Sequence, residues 1–283
     1  QLFYYGNFNR AHTRWSTYSA QPRFGGPYHG LRGQFSILSE AYSYIPYRDR
    51  VIVTRQFVRE IVQFARDHAD EMHDIRQRAI EETVQAGLNP QPDDIVGIRH
   101  RSAPFPKLAT VLGFEPRADG GNRTGRVIPP DETDTPRDYD VLHFGQFTMT
   151  RGVPRPYAYL VPIAEMKVIE TLRAHGVRMD RVDAVSGRVE HDIIDEVDRA
   201  PTPFQGHRLV RVEATTTVQR IDGDGPYMLI RTGQPLGTLI VYLLEPESED
   251  GLVAWNFFDE HVTPGGGMPV LRIAHPSDVQ FGP

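Results

Sequence analysis

The 283-residue chain contains no cysteine, which excludes disulfides, thiolate metal sites and cysteine nucleophiles at once. It also leaves the compartment open, because a cysteine-free chain suits cytosol and export alike. Lysine occurs only at Lys107 and Lys167, so arginine carries nearly all the positive charge. No apolar run reaches the roughly 20 residues that a membrane-spanning helix needs. A formal net charge of −6 argues against a general nucleic-acid binder, which would present a basic face. Phosphate-loop and dinucleotide fingerprints are missing, as are G-x-S-x-G and S-x-x-K. There is no internal repeat.

What is present suits a folded protein. Hydrophobic residues make up 39% and charged residues 24%, and the length allows a substantial core in one or two domains. The pattern divides near residue 89. Residues 51–86 read as one long helix, with Phe57, Ile61, Phe64 and Ala65 forming a stripe that packs on a sheet and Gly87, Asn89 and Pro90 ending it. Beyond it, short β-rich runs (IVGIRHR, KLATVLGF, RLVRVEATTTVQRI, PYMLIRT) alternate with Pro, Gly and Asp clusters. Residues 120–138 read as a loop, and helices are expected at 164–175, closed by Gly176, and at 237–244. The expectation is an α+β chain: residues 1–89, then a β-rich, sandwich-like domain of residues 90–283 with two short helices.

Residues 30–50, GLRGQFSILSEAYSYIPYRDR, carry the first chemical signal. Phe35, Ile37 and Leu38 suggest a short strand over residues 34–39 that delivers Glu40 to its C-terminal end, where α/β sheets keep their chemistry. Glu40 is thus either a general base or a surface glutamate. The tyrosines that follow, Tyr42, Tyr44 and Tyr47, either line a cleft or pack as half-buried aromatics.

The stretch FYYGNFNRAHTRWSTYSAQPRFGGPYHGLRGQFSILSEAYSY resembles the last part of the catalytic domain of carboxypeptidase A-type zinc carboxypeptidases, especially large bacterial relatives. RPYAYLVPIAEMKVIETLRAHGV and LLEPESEDGLVAWNFFDE resemble the region that follows that domain, so the likeness covers most of the chain. It implies that residues 1–89 are the C-terminal portion of an α/β carboxypeptidase-like sheet, with Glu40 activating a zinc-bound water. It further implies that a tyrosine ahead of the strand, Tyr18 by spacing or else Tyr28, contacts a peptide or other small carbonyl substrate. Secretion or a periplasmic location follows from the same likeness. The family's H-x-x-E pair and later histidine lie upstream of the matching segment, so the chain, which starts at Gln1, reads as a fragment without its own zinc ligands. An unpaired sheet edge would then favour a homo-oligomer, or the tail folding back through Trp255, Phe257 and Phe258.

Other residues are placed by chemistry. Arg23 and Arg32 can hold a carboxylate by paired hydrogen bonds, or form surface ion pairs. His68 and Glu71 make an H-x-x-E with His73 nearby, which is either a weak zinc cluster or a solvated helix face. Glu245, Glu247, Glu249 and Asp250 are either oxygen ligands for calcium or a solvated acidic turn. Three functions therefore stand side by side. They are a zinc carboxypeptidase-type hydrolase, a non-catalytic peptide- or glycan-binding accessory module, and a metal-independent esterase-like hydrolase whose serine the sequence does not identify, Ser39 and Ser248 being the first to consider.

Overall fold

The computed structural model describes residues 3–42, 45–116 and 132–282. In chain order they form β1 (Asn7–Phe8), β2 (Arg14–Ser16), α1 (Gly25–Leu31), α2 (Tyr47–Asp67) and α3 (Ala69–Leu88). Next come β3 (Ile95–Ala103), β4 (Ala109–Pro116), β5 (Glu132–Phe144), β6 (Gln146–Pro154) and β7 (Ala158–Pro162). The last part holds α4 (Met166–His175), β8 (Asp180–Arg199), β9 (Val210–Arg231), α5 (Gly237–Leu244), β10 (Gly267–Ile273) and β11 (Val279–Phe281). The chain is a mixed α+β protein. Its contacts divide it into two units that interleave in sequence: 1–20, 37–72 and 101–148 form the smaller, and 21–36, 73–100 and 149–283 the larger. Residues 1–89 and residues 90–283 each contribute to both.

The smaller unit is built on the sheet β1-β2-β5-β4, in which β2 runs parallel to β5 and β4 antiparallel to it. Val111, Tyr139 and Val141 form its buried centre, and Phe8 and Trp15 pack on them. Asn9 shapes the β1–β2 turn, its side-chain oxygen accepting from the amides of Thr13 and Arg14.

In the larger unit, β7 shows why its strands read as apolar runs. Tyr159 and Val161 enter the main core, while Ala158 and Leu160 enter a second cluster on the opposite face, so both faces of the strand are buried. The sheet order is β10-β7-β9-β8-β11, and β10 also pairs with β8, which curls the sheet. α4 contributes Val168, Ile169 and Leu172 to the main core, and α5 contributes Leu239, Ile240, Val241, Leu243 and Leu244. Each such side chain is worth roughly 1.5–3 kcal/mol when fully buried. α4 ends at Gly176, whose φ of 87° only glycine adopts freely, as the sequence signals.

Four expectations are corrected. Residues 34–39 are not a strand: they have no regular structure, and Phe35, Ile37 and Leu38 are each more than half exposed. An apolar run forms a strand only if a neighbouring strand accepts its backbone hydrogen bonds. The single helix of residues 51–86 is two helices, broken at His68, and none of α2 is buried. Phe64 of the expected stripe instead lies exposed, stacked on His68 at 4.1 Å. Gly87 does not end α3 but lies inside its last turn, where glycine is needed because a Cβ would come within 2.3 Å of the Thr232 backbone. The loop of residues 120–138 is already strand β5 from Glu132 onward, and residues 120–131 lie outside the described residues, as does Tyr44.

Candidate functional site

Glu40 lies exposed on the irregular segment that follows α1, and Ser39 beside it is half-buried. Both belong to the smaller unit, as does Tyr18, whose ring lies 6.0 Å from that of Tyr5. Tyr42 and Tyr47 are exposed. Without the strand, Glu40 loses the sheet-edge setting that suggested a general base.

Tyr28, Arg23 and Arg32 belong to the larger unit, and each is engaged in its framework. The Tyr28 hydroxyl lies 2.8 Å from His175 Nδ1. Arg32 Nη1 donates to that hydroxyl at 3.0 Å and to the His175 carbonyl at 2.8 Å. Arg23 donates through its backbone amide and Nε to the two oxygens of Asp250, at 2.7 and 2.8 Å. Tyr28 and Leu31 pack against the main core, which includes Phe258 and against which Phe257 also packs.

The acidic turn after α5 is the largest surprise. Glu245, Glu247, Ser248 and Asp250 are buried, so the turn is not solvated. Each carboxylate has a cationic or imidazole partner on another element. Glu245 accepts from Arg272 Nη1 at 2.8 Å, Glu247 from Arg151 Nε at 2.9 Å, and Asp250 from Arg23. Glu249 Oε1 accepts from the His100 amide at 3.1 Å, with the His100 ring 3.4 Å away. The charges are consumed by the fold. Ser248, one of the serine candidates, is buried beside Tyr242.

Burial pushes the Glu245 carboxyl up to about 7; the Arg272 charge opposes this, and neighbouring Asp192 reinforces it. The fold therefore retains a proton that the unfolded chain releases above about 4.5. That contribution is complete at low pH and is lost as pH rises through 7. We expect the unfolding free energy of the native chain to drop, relative to Glu245→Gln, by up to about 3 kcal/mol between pH 4.5 and 7.5. Urea denaturation of both proteins across that range measures it, and parallel pH profiles would refute it.

Next to this turn lies a cavity of about 260 Å³, lined by Gln21, Arg99, His100, Thr150, Val210, Arg211 and Glu249. β3 supplies Arg99 and His100, β6 Thr150, and β9 Val210 and Arg211. Arg99 is buried and fixed: Nε donates to the Glu247 carbonyl at 2.7 Å, Nη1 to Glu213 at 2.5 Å, and Nη2 to the Val212 carbonyl. Glu213 and Glu247 interact directly behind it. Burial tends to raise Glu213, but hydrogen bonds from Arg99 and Glu247 outweigh this and bring it down to about 2. Burial and the Glu213 contact push Glu247 the other way. The sequence could not reveal this site, because its residues come from five separated segments.

Zinc, which the peptidase likeness implies, does not fit the described residues. His68 Nδ1 and Glu71 Oε2 pair with each other at 3.1 Å on an exposed surface, and no group of three potential ligands converges among the described residues. No helix among the described residues is long and apolar enough to cross a membrane. No family model matches the chain, and neither a curated protein nor a solved structure matches it significantly.

Proposed function

We propose that the chain is a non-catalytic accessory module that binds extended peptide, serving a hydrolase of the carboxypeptidase A type. One observation carries the binding reading. β9 pairs with β8 from Val210 to Leu229, but with β7 only from Tyr227 to Arg231. Among the described residues, its edge along residues 213–221 therefore meets no strand on the β7 side. Residues 215–220, TTTVQR, are exposed and strongly β-forming. An open edge of this kind is a template for an added strand: the peptide backbone supplies the hydrogen bonds and alternate side chains supply selectivity.

The test is amide hydrogen exchange with and without a soluble decapeptide of alternating threonine and valine flanked by lysines. Amides of residues 213–221 are expected to slow at saturating peptide, and Val218→Asp to weaken binding at least fivefold. Unchanged exchange across that segment would sink the proposal.

The second reading, a carboxypeptidase-type hydrolase with Glu40 as general base, is supported by the quoted sequence likeness. Zinc-dependent release of C-terminal amino acids, abolished by Glu40→Gln, would establish it over the accessory role. A homo-oligomer belongs to the same proposal, supported by exposed Val51, Val58, Val62 and Phe64 on α2.

A further inference from the structure

We propose that the cavity beside the acidic turn is a binding site for an oxyanion of the sulfate or phosphate class, with Arg211 as the residue that changes partner to clamp it. This inference does not depend on strand addition at β9.

The lining supplies the chemistry. Five of its seven side chains, those of Gln21, Arg99, His100, Thr150 and Arg211, carry N–H or O–H groups, and Glu249 is the single carboxylate. Glu249 already accepts from the His100 amide, which spends part of its charge inside the protein. The lining residues Arg99 and Arg211, with Arg151 behind them, face Glu213 and Glu247. Of the charged side chains that line the cavity, two are guanidiniums, Arg99 and Arg211, and one is a carboxylate, Glu249, so the lining itself is weighted toward positive charge and suits an anion.

The two lining arginines have different freedom. Arg99 is 8% exposed and commits each of its nitrogens to the protein, so it contributes field and shape. The side chain of Arg211 is 66% exposed and reaches Glu213 Oε1 only at 3.2 and 3.4 Å. That oxygen also accepts from Arg99 at 2.5 Å. When Arg211 swings into the cavity, Glu213 therefore remains paired, and an exposed contact of little energetic weight is exchanged for a bidentate one to the anion. At about 260 Å³ the cavity can also hold a small organic group attached to the oxyanion.

The probe is inorganic sulfate, whose charge does not change between pH 5 and 8, titrated by ¹⁵N NMR against sodium chloride at matched ionic strength. Saturable shifts at His100, Thr150 and Arg211 are expected, weakened at least tenfold by Arg211→Ala and several-fold by Arg211→Lys, which keeps the charge but loses the fork. The melting temperature without sulfate is expected to stay unchanged in Arg211→Ala. Thr150→Val, a second exposed position, should weaken binding while leaving the fold intact. Phenyl phosphate binding more tightly than inorganic phosphate supports an ester ligand, and equal affinity supports the free ion. Shifts no larger than in the chloride control, or equal affinity in native and Arg211→Ala proteins, would overturn the proposal.

Discussion

Arg272→Ala is expected to remove about 3–5 kcal/mol of stability at neutral pH, the usual result of leaving buried carboxylates without their cation. Arg272 sits on β10 with 7% of its surface exposed. Its Nη1 donates to Glu245 and its Nη2 to Asp192, both at 2.8 Å, and Glu190 lies 3.4 Å from its Nε. The Tyr159 hydroxyl donates to Glu245 at 2.6 Å, and Thr216 lies within the same network. Without the guanidinium, Glu245 and Asp192 must take up protons or draw water into the curled sheet. The loss should therefore shrink as pH falls, because a protonated carboxyl needs no counter-charge. Arg272→Met combined with Glu245→Gln and Asp192→Asn should recover part of it, since a neutral network needs no counter-charge. Urea denaturation at pH 7 and pH 4 decides the matter, and a loss below 1 kcal/mol at pH 7 would show that the carboxylates are not held by Arg272.

This network also marks how far the sequence can be read. α4 and α5 were legible because their signals are local: an apolar period closed by Gly176 in one case, a continuous apolar run in the other. The acidic turn was not. Its charges stand side by side in sequence, whereas their partners lie 27 residues away for Arg272, 96 for Arg151, 149 for His100 and 227 for Arg23. No local pattern tells a solvated acidic turn from one that distant arginines neutralise. β9 failed for a related reason. Asp222 to Gly225 belongs to the Gly and Asp clusters that separate the β-rich runs, yet the strand runs through it, with Gly223 at a φ of 104° and a register shift against β8 between Val182 and Ala184 absorbing the distortion. The misread strand at residues 34–39 is the converse case, apolar residues with the right period and no strand to pair with. The cavity shares the limit of the acidic turn, because Arg99 and Arg211 acquire their separate roles only through Glu213 and the Glu247 carbonyl.

Asp250→Ala is expected to free residues 21–36 from the rest of the larger unit and to lower stability by about 3–5 kcal/mol, because it strands a partly buried arginine. Its carboxylate, with only 1% of the side chain exposed, takes four donors: the Arg23 amide at 2.7 Å, Nε at 2.8 Å, Nη2 at 2.6 Å, and Trp255 Nε1 at 2.8 Å. The same guanidinium lies over the Trp255 ring at 4.9 Å and the Phe204 ring at 5.3 Å, so Asp250 also fixes a cation–π stack. The other ties of this segment are the hydrogen bonds of Tyr28 and Arg32 to His175 and the packing of Tyr28 and Leu31. They hold its C-terminal half, so release should begin at Arg23. Trypsin reports this directly, because an arginine withdrawn from its pin becomes a cleavage site: cutting after Arg23 should accelerate at least tenfold in Asp250→Ala, with cutting after Arg32 following later. Arg23→Lys keeps the charge but loses the fork, so it should fall between the native protein and Asp250→Ala in stability. Equal tryptic rates after Arg23 in native and Asp250→Ala proteins, with matching melting temperatures, would mean that the segment is held by its apolar contacts alone.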